Sequence, residues 1–259
     1  MKSSAKYRYG RENSNMIDLH THILPGIDDG SSSLEESLIM AQMAVKSGVN
    51  TIVATAHSYS KDAVLVKYWE AYHELKRALE ENHIPLRLLP GMEILLTDGV
   101  VEAVKNKELL SINDTRYLLV EFNFEEEAWV AEYYLQVLQE AGYYPIVAHP
   151  ERYFFMQRNP ELAYEWVKQD YILQVNKDSI LGRFGSKCQR LAIELLYHNL
   201  VQIVASDAHG VKRRTTRMDG IRALLEGEFS ISCAKLLLKE NPKRIIQGEE
   251  VFTFAPRPF

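Results

Sequence analysis

Two pairs of residues near opposite ends of the chain share one spacing: His20-Thr21-His22 and Asp207-Ala208-His209. In a strand, residues i and i+2 point the same way, so each pair can turn two donor side chains toward one point. Mixed imidazole and carboxylate donors suit Mn, Fe or Zn. Either pair alone reads equally well as ordinary polar residues where a strand meets a loop. Four further donors, His57, Glu93, Glu121 and His149, each close a short apolar run. A carboxylate buried beside such a run is costly unless a cation faces it. Lys or Arg would serve, and so would a metal, which a carboxylate can share between two ions.

The runs themselves must do the positioning. Seven of them, at 16–20, 51–57, 86–93, 117–121, 145–149, 171–176 and 201–207, read as buried strands. The third is the least regular, because it holds Pro90 and Gly91. Helices are expected at 34–47, 63–81, 126–141, 160–168, 187–198, 216–225 and 231–239. The first is capped by Ser33, with Glu36 at capping-box spacing, and is stopped by Gly48. Strictly alternating strands and helices imply parallel strands joined by right-handed crossovers. Seven such units predict an α/β fold, a closed or nearly closed (β/α)7 barrel. In that architecture the strands' C-terminal ends gather on one face, where chemistry sits. Six of the seven runs end in a residue able to bind a metal, and Asn176 ends the other. Hydrophobic strands have no need of such endings.

Smaller features join this set or fall outside it. Asp28-Asp29-Gly30 is a good turn, and Asp29 is also expected at the metal site. Arg152, Lys212, Arg213, Arg214 and Arg217 form either a solvated basic loop or a phosphate grip, since guanidinium matches phosphate with paired hydrogen bonds. His73, His83 and His198 fall mid-helix, in a turn and at a helix end, and are read as structural or solvated. A thiolate phosphatase needs Arg six residues after its Cys. Cys188 is followed there by Glu194 and Cys233 by Lys239, so that chemistry is excluded.

The 259 residues suit one domain over 16–259, with 1–15 as a disordered polar tail that lacks the apolar stretch of a secretory signal. A net charge of -5 disfavours a nucleic-acid binder. Two cysteines without a Cys-x-x-Cys favour the cytoplasm, and no run approaches the length of a membrane span.

Asp18-Leu19-His20-Thr21-His22, Thr55-Ala56-His57, His149-Pro150-Glu151-Arg152 and Ser206-Asp207-Ala208-His209 occur in this order. With them the chain resembles the polymerase and histidinol phosphatase (PHP) superfamily, from Met16 to about Gln247. Within it the chain is similar to the bacterial manganese-dependent protein tyrosine phosphatases of capsule and exopolysaccharide operons. Ile23-Leu24-Pro25, Leu89-Pro90-Gly91-Met92-Glu93-Ile94, Leu110 to Tyr117, and Asn241-Pro242 carry that narrower likeness. The resemblance implies a distorted (β/α)7 barrel holding two or three divalent ions, Mn before Fe or Zn. His20, His22, Glu93 and Asp207 would hold one ion. Glu93 would bridge to a second, and His57, Glu121, His149 and His209 would complete the cluster. Asp29 would line it, and Arg152 and Arg214 would grip the phosphate. The implied reaction is phosphomonoester hydrolysis on the phosphotyrosine tail of a cognate bacterial tyrosine kinase. Tyr59, Trp69, Tyr72 and Phe154 are expected to line an opening wide enough for that peptide. A histidinol-phosphate phosphatase is the nearest competitor. A non-catalytic metal-stabilised binding module is the alternative of another class, which the full ligand set disfavours.

Overall fold

Seven parallel strands lie side by side in chain order in the computed structural model, which describes residues 15–58 and 64–259. They are β1 (Met16–Thr21), β2 (Val49–His57), β3 (Arg87–Leu95), β4 (Tyr117–Glu121), β5 (Tyr144–Ala148), β6 (Ile172–Asn176) and β7 (Ile203–Ala205). The sheet curls until its first and last strands meet. Thr21 bridges Ala208, His22 N–H donates to the Ala208 carbonyl (2.9 Å), and Asp207 N–H donates to the His20 carbonyl (2.9 Å). Asp18 also staples this seam, its carboxylate accepting from Ser206 N–H at 2.9 Å. The seam matters because it brings the two i, i+2 pairs together.

The helices are α1 (Leu34–Lys46), α2 (Val64–Glu81), α3 (Val100–Lys105), α4 (Ala128–Glu140), α5 (Phe154–Arg158), α6 (Glu161–Lys168), α7 (Lys177–Ile180), α8 (Ser186–Tyr197), α9 (Asp219–Glu228), α10 (Ile231–Lys235) and α11 (Asn241–Gln247). They cover the outer sheet face, where Ile52, Ala54, Met92, Val120, Val147 and Val204 join the larger core. The inner face holds a separate apolar cluster that includes Val53, Leu89, Leu119, Ile146, Ile172 and Ile203. Following each inner stripe by twos gives the logic of the barrel. Val53-Thr55-His57, Leu89-Gly91-Glu93, Tyr117-Leu119-Glu121, Ile172-Gln174-Asn176 and Ile203-Ala205-Asp207 all start apolar and end polar. The apolar layer, with Ile245 and Ile246 of α11 in it, packs the end where the strands begin. The polar layer is left at the other end.

Several elements depart from expectation, each for a local reason. β3 runs straight through Pro90, because β4 pairs with it only from Glu93 onward. A missing donor therefore costs little there, and Gly91 N–H finds the Tyr68 hydroxyl (3.1 Å). Gly91 also faces inward, where a Cβ would come within 2.6 Å of Val53. The helix expected from 216 starts at Asp219, because 216–218 are tied to α1 instead. The Thr216 hydroxyl donates to the Met40 carbonyl, and Met218 N–H to Ser47 Oγ. α3, α5, α7 and α11 were not expected; Pro242 opens α11 rather than ending α10, which suits a residue without an N–H. The tail expected over 1–15 lies, but for Asn15, outside the described residues. No helix is long and apolar enough to cross a membrane among those described.

Candidate metal centre

Four donor atoms converge where the barrel seam meets β3. His20 Nε2 lies 3.2 Å from His22 Nε2, 3.1 Å from Glu93 Oε2 and 3.3 Å from Asp207 Oδ1. His22 Nε2 lies 3.2 Å from Glu93 Oε2 and 3.5 Å from Asp207 Oδ1. An ion with four ligands at roughly 2.1 Å in a tetrahedron separates its donors by about 3.4 Å. His20 and His22 already stand at about that spacing from each other and from both carboxylate oxygens. Glu93 Oε2 and Asp207 Oδ1 are buried, and no donor meets either with hydrogen-bonding geometry. Arg214 Nη2 stands 2.6 Å from Asp207 Oδ1 and offsets part of its charge, while a buried Glu93 Oε2 without an aligned donor is costly and calls for a cation.

The histidines are held in the tautomer such a site needs. His22 Nδ1 meets Asp28 Oδ2 at 2.7 Å, and His20 Nδ1 meets Gln174 Oε1 at 2.7 Å. Each contact keeps a proton on Nδ1 and turns Nε2 to the centre. Burial works against it, but Asp207, Asp28 and Glu93 keep the His22 ring protonated in the absence of a metal, and a bound ion would take the place of its Nε2 proton. The Gln174 amide donates on to Asn176 Oδ1, and the Asn176 amide to Asp207 Oδ2, which leaves Asp207 Oδ1 turned toward the histidines. Asn176 is thus no ligand, as its residue type implied, but a hydrogen-bonding support. Gln174→Leu is expected to lower metal affinity about 10–100-fold, the usual cost of losing a group that orients a ligand. Titration of the chelated variant by calorimetry checks this, and unchanged affinity would remove Gln174 from the site.

Asp28 and Asp29 divide their work differently from expectation. Asp28 is the buried one, its side chain 6% exposed against 66% for Asp29. Besides His22, it accepts from His57 N–H and Gly30 N–H. Burial pushes its carboxyl up, but these hydrogen bonds and the His22 charge outweigh burial and hold it at about 2. A pKa depressed from 3.8 to about 2 stabilises the folded metal-free protein by about 2.5 kcal/mol. That stability is fully present above pH ~4 and is lost as pH falls through about 2. Asp28→Asn should therefore lower the melting temperature of chelated protein at pH 6. The gap should narrow below pH ~4 and close near pH 2, and a gap that does not change with pH would refute this account. Gly30 is needed beside it, since a Cβ there would fall 2.3 Å from the His22 carbonyl oxygen.

Two further groupings surround the first. His57 Nδ1 lies 2.8 Å from Glu121 Oε1 and 3.1 Å from Glu93 Oε2, while His149 Nε2 lies 2.9 Å from Glu93 Oε1. Glu93 thus faces both sets, its Oε2 toward His20, His22 and His57 and its Oε1 toward His149. Ala148 points inward, so strand parity would turn His149 out. A left-handed residue at His149 (φ 38°) swings it back in. At the mouth, Asp29 Oδ1 stands 3.4 Å from both His57 Nε2 and His209 Nε2. Burial and the neighbouring His22 charge push His209 down to about 3, so its ring is neutral at pH 7 and open to a cation. Three groups of donors could each hold an ion: His20/His22/Asp207, His57/Glu93/Glu121 and His22/Asp29/His57/His209. Every residue expected as a ligand is in or against one of them.

Both arginines expected at the site border it. Arg214 Nη2 lies 2.6 Å and Arg152 Nη1 3.4 Å from the Asp207 carboxylate. Arg152 is sandwiched between the Phe124 and Phe184 rings at 4.6 and 4.8 Å, and Arg214 lies 5.7 Å from Phe184. The phenylalanines were missed in the sequence, because nothing local marks a ring that packs on a distant cation. The rest of the basic loop does not join. Lys212 and Arg213 are exposed, and Arg217 pairs with Asp219 at 2.8 Å. Of the aromatics expected at the opening, Tyr59 lies outside the described residues. Tyr72 is a correction: it is buried, and its hydroxyl bonds the Leu88 carbonyl near the start of β3, away from the mouth. Trp69 is half-buried against Tyr68 and Tyr72. Of the three that are described, Phe154 alone is exposed, just past Arg152. His73, His83 and His198 lie on α2, in the turn after it and at the end of α8, apart from these groups, as read.

Residues 16–247 match a family described as capsular polysaccharide synthesis, CpsB/CapC. The chain is 38% identical over 247 residues to the tyrosine-protein phosphatase YwqE of Bacillus subtilis, covering 94% of this chain and 96% of that one. It is 29% identical over 241 residues to the tyrosine-protein phosphatase CpsB of Streptococcus pneumoniae, covering 90% and 99%. Among solved structures it superposes with TM-score 0.87 and 37% identity on a chain from the crystal structures of YwqE and CpsB. Those two are described as unique metal-dependent tyrosine phosphatases, and the match covers 94% of this chain and 99% of that one.

Proposed function

From the chain's membership of the CpsB/CapC family of capsular polysaccharide synthesis, which is plain over residues 16–247, we propose that it is a metal-dependent protein-tyrosine phosphatase. Its substrate is the phosphotyrosine tail of a cognate bacterial tyrosine kinase, its metal is Mn, and its compartment is the cytoplasm. The observation that carries the reading is a many-donor centre with two arginines at its rim. Relatives similar over nearly the whole chain are named tyrosine-protein phosphatases.

His20, His22, Glu93 and Asp207 would hold one ion, with Glu93 shared toward His57, Glu121 and His149, and Asp29 and His209 closing the outer edge. Divalent ions bound there supply Lewis acidity, which neutralises phosphoryl charge and makes water a nucleophile at neutral pH. The chain's own groups do the rest. Arg152 and Arg214 both lean on Asp207. With Asp207 serving as a ligand, their guanidiniums would be available to phosphoryl oxygens, which they can bind in pairs. Phe124 and Phe184 hold the Arg152 plane and offer ring faces to an aryl ester. A phenol leaves with a pKa near 10, so it asks little of a general acid. His209, neutral and half-buried, then acts as ligand rather than proton donor.

The test is initial rates on a phosphotyrosine peptide and on histidinol phosphate. Chelated protein is assayed with Mn, Mg, Fe or Zn added back, and His209→Ala beside it. Metal-dependent turnover of the peptide, lost in the variant, is expected. Faster turnover of histidinol phosphate would move the substrate assignment. No turnover with any metal would leave the binding-module reading.

A further inference from the structure

A second cleft opens beside the arginine rim, between α5 and α8. It encloses about 670 Å³ and is lined by Phe154 and Arg158 from α5 and by Lys187, Arg190 and Glu194 from α8. Residues three or four apart share a helix face, so the two helices turn these groups toward one another. Arg158, Lys187 and Arg190 are all exposed. Arg152, Arg183, Arg214, Arg217, Arg222 and Arg244 each face a carboxylate. Arg158, Lys187 and Arg190 form no ion pair among the described residues. Arg77, Arg87, Arg213 and Arg257 likewise form no ion pair among the described residues, so what sets Arg158, Lys187 and Arg190 apart is that one cleft gathers all three against the single acid Glu194.

The cleft is built onto the segments that hold Arg152. Phe154 stands two residues past Arg152, so their Cα atoms are at most about 7 Å apart. Phe184, which stacks on Arg152, lies two residues before α8 begins. Gln157, part of the cleft wall, donates to the Glu151 carbonyl (2.8 Å) and to Cys188 Sγ (3.5 Å), tying α5 to α8 beneath it. An extended peptide advances about 3.3 Å per residue. A side chain two to four residues from the one at the metal centre therefore lies about 7–13 Å along the peptide, the scale of the step from Arg152 to the cleft wall at Phe154.

We infer that this cleft is an anion subsite that takes a second phosphotyrosine of the same peptide, with the phosphate on Arg158, Lys187 and Arg190 and the ring against Phe154. The inference rests on the phosphatase reading above. It makes a multiply phosphorylated tail a better substrate than a singly phosphorylated one.

Four substrates test it: an aryl phosphate, a peptide with one phosphotyrosine, the same peptide with a second phosphotyrosine three residues to either side, and the same with Glu at that place. In the wild type, kcat/KM for a doubly phosphorylated peptide should exceed the single one about tenfold, mainly through KM, the scale of a charge-assisted contact partly kept in water. Arg158→Ala/Lys187→Ala/Arg190→Ala should erase that gain and leave the aryl phosphate rate unchanged. No gain, or a gain that survives in the triple variant, overturns the subsite. An equal gain from Glu overturns phosphotyrosine as its occupant. If no substrate is turned over, the phosphatase reading fails separately. Fluorescence anisotropy of the labelled single and double phosphopeptides, with wild type and triple variant, then decides the subsite on binding alone.

Discussion

Glu93→Gln is expected to cut hydrolysis of an aryl phosphate by about 10³-fold or more, the scale of losing several kcal/mol of charge stabilisation at a metal centre. The substitution keeps shape and removes charge. Glu93 is the group through which the donor sets are joined, within 3.1–3.2 Å of His20, His22 and His57 by one oxygen and 2.9 Å of His149 by the other. Burial pushes its carboxyl up, but the surrounding imidazoles win and hold it well below the ordinary range. It is therefore anionic and ready for cations. A Gln in its place turns either an N–H₂ or a neutral oxygen toward those lone pairs. Metal content by mass spectrometry should fall by at least one ion per chain together with the rate. Glu93→Asp keeps the charge on a shorter stem and should retain more of both. A Gln variant with full metal content and a rate within tenfold of wild type would sink the bridging role.

Arg214→Ala comes next, with an expected loss of 10²–10³ in kcat/KM for the same ester, the usual cost of removing one preorganised donor to a developing oxyanion. Metal content should stay unchanged, because Arg214 donates and binds no cation. Arg214→Lys should recover only a small part of the loss, since an ammonium cannot make two parallel hydrogen bonds to one phosphoryl group. The loop is built around this residue. Arg214 adopts a left-handed backbone (φ 47°), its carbonyl accepts from His209 N–H (2.8 Å), and its Nε donates to the Asp207 carbonyl (3.2 Å). Inhibition by inorganic phosphate gives an independent readout. If Ala weakens neither phosphate inhibition nor turnover, the arginine is structural.

The sequence was most informative where chemistry and periodicity coincide. A barrel strand is short and alternates by twos, so a donor at the end of an apolar run is already assigned a face and an end of the fold. That is why His57, Glu93, Glu121 and Asp207 could be read as one site though they lie in four different units. Spacing also bears on why the two i, i+2 pairs belong together once seven strands close: the seam from Thr21 to Ala208 unites them.

What lay beyond the sequence depends on partners far away along the chain or on backbone angles that residue type does not announce. Gln174 orients His20 across 154 residues, and its place inside an apolar strand, two before Asn176, is its only local trace. Asp28 and Asp29 are chemically identical neighbours, and only the folded turn, with Gly30 pressed against His22, shows which is buried against the histidine and which stands at the mouth. His149 breaks strand parity through one left-handed residue. Tyr72 looked like a mouth residue because a helix pattern gives its buried face but not its height along the barrel. From sequence alone came the candidate donors, the parallel barrel and the end of it where they would collect, because these follow from local periodicity and burial cost. Only the tertiary structure decided tautomers, the grouping of donors and the seating of Arg152 between Phe124 and Phe184, because these are contacts made when distant segments pack.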